Sequence, residues 1–168
     1  MSINEHKRNA PKQVKIKIIT ISDTRTKETD KSGLLMKEIL LNAGHQVLDY
    51  EIVKDEPALI RSAVLSGCEN DEIDVVLTNG GTGISKRDQT VEAIQTILEK
   101  EITGFGELFR FISYQEDIGS SAILSRAVAG VALETAIFAV PGSPKAVKLA
   151  MEKLIIPELG HVVREIRK

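Results

Sequence analysis

Residues 73–88 read IDVVLTNGGTGISKRD, a short apolar run that passes directly into a glycine-rich loop. Such a run is typical of a strand that helices cover on both faces of a parallel sheet. Glycines at positions 80, 81 and 83 allow backbone N–H groups to surround a phosphate or a carboxylate. We therefore predict a buried strand that ends in an anion-binding loop. A tight turn without a ligand is the alternative for the same residues.

Strand and helix patterns alternate on both sides of this segment. β-branched and aliphatic runs predict further strands at residues 14–22, 47–53, 128–133 and 136–140, the last two as a hairpin that turns at Glu134-Thr135. Apolar spacing, caps and prolines predict helices from Asp30 or Ser32 to Gly44, from Asp55-Glu56-Pro57 to about Cys68, over residues 90–101, 105–114 and 145–153, and from Pro157 onward. The predicted fold is a three-layer α/β structure, in which helices flank a mostly parallel mixed sheet with an added antiparallel hairpin.

Size and composition are those of one globular domain. The chain has 168 residues, 42% hydrophobic and 27% charged, and a formal net charge of −2. We assign the polar residues 1–13 to a flexible N-terminal tail and residues 14–168 to a single domain. Because basic residues are not clustered, we expect no nucleic-acid partner. Because no apolar run suits a signal peptide or a membrane span, we expect a cytoplasmic protein without a membrane partner.

The reactive side chains narrow the possible chemistry. Cys68 is the only cysteine, which excludes internal disulfides and cysteine-based zinc sites. No common motif joins His6, His45 and His161, so we expect neither a histidine-based triad nor a histidine metal site. The remaining possibility is a reaction that depends on positioning, fixed dipoles and a metal ion. Phosphoryl or nucleotidyl transfer is the main example of such a reaction.

Four predicted loops should meet at one edge of the sheet, because ligands of such sheets bind outside the carboxyl ends of the strands. These loops carry Ser22-Asp23, Asp55, residues 78–88 and residues 141–144. Asp55 and Asp88 are candidates for holding Mg²⁺ near a phosphate, although each is also placed to cap a helix. Ser143-Pro144 has the same ambiguity, since a cap followed by proline is an ordinary helix start.

Five segments together resemble the MoaB/Mog family of molybdenum cofactor biosynthesis proteins. They are ISDT at 21–24, VLTNGGTGISKRD at 76–88, ITGFGELFR at 102–110, SRAVAG at 125–130 and AVPGSPKAV at 139–147. The resemblance covers about residues 16–156, and the order and spacing of the five segments make chance improbable.

The resemblance implies an enzyme that binds molybdopterin and adenylylates it with Mg-ATP, releasing pyrophosphate. It assigns Asp55 and Asp88 as the catalytic residues and as ligands of Mg²⁺. It also implies a homotrimer or homohexamer and a downstream protein that inserts molybdate. The substrate-binding residues that it implies are Ser22, Asp23, Thr78, Gly80, Gly81, Thr82, Gly83, Gly106, Glu107, Ser125, Arg126, Pro141, Gly142, Ser143 and Pro144.

Two alternatives stay open. The chain keeps aspartate at both critical positions, which favours the enzyme over a non-catalytic paralogue that only binds or carries molybdopterin. A nucleotide-binding domain unconnected with the pterin leaves the five segments unexplained. Asn79 departs from the threonine or isoleucine common before the double glycine, which predicts an altered pocket contact. Apolar residues within 105–114 indicate a subunit interface.

Overall fold

A computed structural model describes residues 2–168 of the chain, so Met1 lies outside the described residues. Within these residues, six strands form one sheet in the order β2-β1-β3-β6-β5-β4. In chain order they are β1 (Lys15–Ile21), β2 (Gln46–Val53), β3 (Val75–Asn79), β4 (Lys100–Glu101), β5 (Val128–Ala132) and β6 (Thr135–Val140). Strands β2, β1, β3 and β6 run parallel to one another, whereas β5 is antiparallel to both β6 and β4. The predicted mixed, mostly parallel sheet is confirmed.

The α-helices of residues 2–168 are α1 (Ile3–Arg8), α2 (Lys31–Asn42), α3 (Pro57–Cys68), α4 (Thr90–Gln95), α5 (Thr103–Ser113), α6 (Pro144–Ala150) and α7 (Ile156–Ile166). A π-helical turn, Met151–Ile155, joins α6 to α7, so the two predicted C-terminal helices follow each other without a loop. Another π-helical turn and a 3-10 helix, Tyr114–Ile118 and Gly119–Leu124, connect α5 to β5.

Two hydrophobic cores lie on opposite faces of the sheet. Alternating side chains of β3 show this directly, because Leu77 belongs to the core under α2, α5, α6 and α7, and Val76 to the core under α3 and α4. All five residues of β3 are buried, as the apolar run predicted. The helix, sheet and helix layers place every loop at the carboxyl ends of β1, β3 and β6 on one edge of the sheet.

Two boundaries predicted from the sequence are wrong. The hairpin turns at Leu133-Glu134, not at Glu134-Thr135: both turn residues have positive φ, 48° and 60°, while Thr135 pairs with Ala132 and is buried. A two-residue turn of this hand matches the twist of the strands. The helix predicted over residues 90–101 ends at Gln95, because residues 100–101 pair with the edge of β5 as β4.

The N-terminal segment contains a helix where we predicted only a tail. Helix α1 lies against α7, with Lys7 paired to Glu158 and His6 to Glu165, and Ser2 caps its first turn. The flexibility of residues 1–13 stays a prediction. No helix within residues 2–168 has the length and apolar character needed to cross a membrane.

Candidate functional site

The glycine loop begins where β3 ends and needs glycine for two reasons. Gly80 and Gly81 have φ values of 96° and 66°, a left-handed backbone that other residues rarely adopt. A Cβ on Gly80 would also lie well under 3.0 Å from the carbonyl oxygen of Ile21, at the end of β1. The N–H of Gly80 donates to the carbonyl of Val140 at 3.1 Å, which ties the loop to the end of β6. The loop is therefore wedged between the ends of β1 and β6, the strands on either side of β3.

A cavity of about 390 Å³ opens above this loop. It brings together residues from four separate segments: Ile21, Ser22, Thr24, Arg25, Gly80, Gly81, Thr82, Gly83, Asp88, Leu124, Ser125, Arg126, Pro141 and Gly142. Most of the candidate substrate-binding residues are among them. Three of the four loops predicted to meet at the carboxyl edge of the sheet line the cavity; the loop of Asp55 does not, and residues 124–126 form the fourth segment. The volume is that of a small-molecule site.

Two guanidinium groups line the cavity. Arg126 donates through Nε to the carbonyl of Thr82 at 3.0 Å and through Nη2 to that of Gly83 at 2.7 Å, and it pairs with Glu92. Arg126 was predicted from the sequence as a site residue, but its hydrogen bonds to the loop carbonyls are visible only in the structure.

Arg25 follows the first strand and could from sequence bind a phosphate or carboxylate or form a solvated surface pair, but the resemblance did not assign it to the site. Its Nη2 donates to the carbonyl of Gly142 at 2.9 Å. Its Nη1 is buried without a hydrogen-bond partner among residues 2–168, and lies 3.6 Å from Oδ1 of the buried Asp30. A buried cationic nitrogen with donor capacity left over suits an anionic ligand.

Asp88 closes the glycine loop and does not cap α4. Its Oδ2 accepts from the backbone N–H of Ser85 at 3.0 Å and from the Ser85 hydroxyl at 2.6 Å, while Gln89 is the N-cap residue of α4. A Cβ on Gly83 would lie 2.6 Å from the same carboxylate oxygen, so the carboxylate packs directly against the loop. The capping alternative for Asp88 is therefore wrong.

Asp55 reaches the other end of the loop. It is only 7% exposed; its Oδ1 accepts from the backbone N–H of Gln89 at 3.1 Å, and its Oδ2 would lie 2.6 Å from a Cβ on Gly81. Glu56, not Asp55, is the N-cap residue of α3. Burial raises the pKa of the Asp55 carboxyl, and the charges of Asp88 and Asp23 raise it further.

Asp23 is not among the residues that line the cavity. Its carboxylate receives two hydrogen bonds from Arg87, at 2.8 and 3.1 Å, and a third from the backbone N–H of Asp55 at 3.1 Å. The hydrogen bond from Arg87 is the main reason that the pKa of Asp23 is lowered. Asp23 thus connects the loop after β1 to the segments that carry Asp55 and Arg87.

Two residues at the end of β3 do not reach the cavity. The hydroxyl of Thr78 is fully buried and has no hydrogen-bond partner within residues 2–168. Asn79 is also fully buried, and its amide nitrogen donates to the hydroxyl of Thr20 at 2.9 Å. The expectation that Asn79 alters a pocket contact is therefore wrong, because this side chain lies beneath the loop, between strands.

The remaining candidates, at the start of α6 and on α5, do not line the cavity. Ser143 caps α6, accepting from the N–H of Ala146 at 3.2 Å, and Pro144 follows as the first helical residue, which confirms the capping role. Gly106 allows α5 to approach Ala127, since a Cβ there would lie 2.7 Å from that carbonyl oxygen. Glu107 is exposed on α5. Roles for these residues in ligand binding stay predictions.

Comparison with known proteins agrees with this architecture. A family model described as "probable molybdopterin binding domain" matches residues 17–161. Molybdenum cofactor biosynthesis protein B of Bacillus subtilis (strain 168) is 62% identical over 168 residues, which cover 100% of this chain and 99% of that protein. The protein of the same name from Bacillus cereus is 61% identical with the same coverage.

Solved structures extend the likeness to the fold. The crystal structure of a molybdenum cofactor biosynthesis protein B superposes with a TM-score of 0.92 at 62% identity, covering 95% of this chain and 99% of that one. The tungsten cofactor synthesizing protein MoaB from Pyrococcus furiosus superposes with a TM-score of 0.84 at 37% identity, covering 95% of this chain and 100% of that one. With its full length matched and its fold shared, the chain belongs to the molybdenum cofactor biosynthesis protein B (MoaB) family.

Proposed function

We propose that this protein is a molybdopterin adenylyltransferase, which binds molybdopterin in the cavity above the glycine loop and joins to it the AMP of Mg-ATP. One observation carries the proposal. Two carboxylates, Asp55 and Asp88, pack against Gly81 and Gly83 at the edge of a cavity that arginines line. Cation-binding and anion-binding groups side by side are what nucleotidyl transfer to a phosphate requires.

The anion side of the site has two kinds of donor. Within residues 2–168, no acceptor engages the backbone N–H groups of Gly81, Thr82 and Gly83, which leaves them available to a phosphate. Arg25 and Arg126 add positive charge on the cavity wall. Both guanidinium groups are already held by loop carbonyls, so they meet a ligand with little loss of conformational freedom.

The carboxylate side fits a magnesium ion. Asp55 and Asp88 each use one oxygen for internal hydrogen bonds, and each keeps the other oxygen free of such bonds within residues 2–168. Mg²⁺ prefers a few carboxylate oxygens supplemented by water and substrate phosphates. Bound there, the ion would offset the negative charge of the phosphates during transfer. Burial is the main cause of the raised pKa of Asp55, and the negative charges of Asp88 and Asp23 raise it further; a cation would offset those charges.

In the proposed reaction, an oxygen of the terminal phosphate of molybdopterin attacks the α-phosphorus of ATP. The bond from that phosphorus to the bridging oxygen breaks, and pyrophosphate leaves with the bonding electrons. The nucleophile is already an anion, so no general base is needed. The residues Arg25, Arg126 and the loop N–H groups would hold the attacking phosphate in line, which supplies the orientational part of the rate enhancement.

The test combines purified protein with molybdopterin and Mg-ATP and detects adenylylated pterin and pyrophosphate. We expect Asp55→Asn and Asp88→Asn each to lower turnover by orders of magnitude, because asparagine keeps the hydrogen-bonded shape but not the charge. Glu56→Gln is the matched control: it removes an adjacent carboxylate whose side chain makes no capping bond to α3, and turnover should stay near normal. Near-normal turnover in both aspartate variants would remove them from catalysis.

The same assay separates the enzyme from a non-catalytic carrier. If the protein is a carrier, it binds molybdopterin but forms no adenylylated product at any concentration of Mg-ATP. Pterin fluorescence quenching, measured without nucleotide, reports binding alone. Binding without turnover would replace the proposed activity with carriage, whereas failure to bind molybdopterin would overturn both.

We also propose that the chain assembles as a homotrimer or homohexamer and passes its product to a protein that inserts molybdate. Helix α5 and the segment after it expose large apolar side chains that a water-facing surface does not need. They are Leu108, Phe111, Tyr114, Ile118, Ile123 and Leu124. Gly106 and Glu107 lie on the same helix, so assembly through α5 would put these two candidates close to a subunit boundary.

A further inference from the structure

A second cluster of ligand-type side chains lies between the first and last helices. His6 of α1 places Nδ1 2.9 Å from Oε1 of Glu165 on α7, and His161 places Nε2 3.7 Å from the same oxygen. One ligand atom from each of the three residues lies within 4.8 Å of the other two. From the sequence we expected no histidine metal site, because no local motif joins these residues: His6 and Glu165 are 159 positions apart.

The spacing of these atoms approaches that of a tetrahedral metal site. Zinc binds histidine nitrogen and carboxylate oxygen at about 2.0–2.2 Å, which puts neighbouring ligand atoms about 3.3–3.6 Å apart. The two distances to Glu165 Oε1, 2.9 and 3.7 Å, lie on either side of that range. The histidine rings are only partly buried, so small rotations would bring both nitrogens and the oxygen to equal distances.

His161 already has the outer partner that metal-bound histidines usually have. Its Nδ1 lies 2.9 Å from Oε2 of Glu158, and Lys7 pairs with the other oxygen of that carboxylate. A carboxylate on the far nitrogen fixes the orientation of the ring and strengthens the near nitrogen as a ligand. The free nitrogen, Nε2, is the one that faces Glu165.

We propose that His6, His161 and Glu165 bind a divalent transition-metal ion of the zinc class, which joins α1 to α7. Two imidazoles and one carboxylate suit Zn²⁺ and its neighbours, whereas Mg²⁺ and Ca²⁺ prefer oxygen ligands alone. Three protein ligands leave the fourth position to water. The site is distinct from the glycine loop: the grooves beside it are lined by His45 and Glu134, which precede β2 and β6, at the opposite edge of the sheet.

Two neighbouring cations compete with the ion. Lys168 Nζ lies 2.6 Å from Oε2 of Glu165, and Arg164 Nη1 lies 2.9 Å from Oε1. Both reduce the negative charge that Glu165 offers to a dication. Removing the lysine charge with Lys168→Gln should therefore tighten metal binding several-fold, a gain that a purely hydrogen-bonded cluster does not predict.

The experiment titrates the full chain, stripped of metal, with ZnCl₂ alone in an isothermal calorimeter. We expect one Zn²⁺ per chain. His6→Gln, His161→Asn and Glu165→Gln should each weaken binding by about tenfold or more, since even outer partners of metal ligands change affinity by about 10–100-fold. Matched controls are His45→Asn, in which the amide oxygen can still accept from Val14 N–H, and Glu152→Gln on the π-helical turn; both should bind as the wild type does.

Co²⁺ provides a second readout, because a tetrahedral complex with nitrogen and oxygen ligands absorbs visible light far more strongly than the octahedral aqueous ion. Amide exchange in α1 should slow when Zn²⁺ is added, and should not slow in His6→Gln. Absence of stoichiometric Zn²⁺ binding, or binding that the three ligand variants leave unchanged, would overturn the proposal. Equal weakening by His45→Asn would overturn it too, since the ion would then bind elsewhere.

Discussion

Substitution of Gly80 by alanine tests how the glycine loop is built, because two separate costs fall on one residue. Its φ of 96° is a left-handed conformation, which costs an L-residue about 1–2 kcal/mol. In addition, the new Cβ would clash with the carbonyl oxygen of Ile21, a backbone atom that cannot rotate away. Forcing extra atoms into a packed site costs about 1–3 kcal/mol. We expect Gly80→Ala to lower the free energy of unfolding by about 2–5 kcal/mol.

Two other glycines separate these costs. Gly44 has a similar φ of 87° but nothing within 4 Å of a Cβ, so Gly44→Ala should lose only the backbone part, about 1–2 kcal/mol. Gly104 lies in the first turn of α5 with open space around it, and Gly104→Ala should stabilise the protein by about 0.5–1 kcal/mol. The order of stability should therefore be Gly104→Ala, wild type, Gly44→Ala and Gly80→Ala.

Urea unfolding followed by circular dichroism measures all four proteins, at one fixed chain concentration because assembly would shift the midpoint. The difference between Gly80→Ala and Gly44→Ala isolates the contact with Ile21. If the two variants unfold within about 0.5 kcal/mol of each other, the loop has room that the structure does not show. In that case the wedging of the loop between β1 and β6 would be wrong.

Three further outcomes are expected. The pKa of Asp55 is raised in the folded state, so between the ordinary pKa of an aspartate and this higher pKa the native protein holds a proton that the unfolded chain releases. The free energy of unfolding therefore falls as pH rises through this window. Urea unfolding measured at a series of pH values should show this loss in the wild type and not in Asp55→Asn. Arg126→Lys should weaken molybdopterin binding by about tenfold or more, measured by fluorescence quenching, because lysine cannot reach the carbonyls of Thr82 and Gly83 at once; binding equal to the wild type would refute a role for the fork. Phe111, 55% exposed on α5, should be needed for assembly, and light scattering should find single chains of Phe111→Glu at concentrations where the wild type is oligomeric.

Local sequence patterns were enough for the architecture. The apolar run before the glycines predicted a fully buried strand, and all five residues of β3 are buried. Caps and prolines placed the starts of α2, α3 and α6 within a residue or two of where they lie. These signals succeed because helix caps, turns and strand alternation depend on residues within a few positions of one another. The carboxyl-end loops then converge by topology alone.

Tertiary contacts decided what the local patterns left open. Asp55 and Asp88 had the same capping alternative in sequence, but Asp55 accepts from Gln89, 34 positions away, and Asp88 turns back onto Ser85. Edge pairing with β5 ended α4 early, although its residues suited a longer helix. The cluster of His6, His161 and Glu165 exists only because α1 packs on α7. Most of these partners are distant in sequence. Ser85 is local to Asp88, but it competes with the first turn of α4 for the same carboxylate. In each case the packed fold selects the partner.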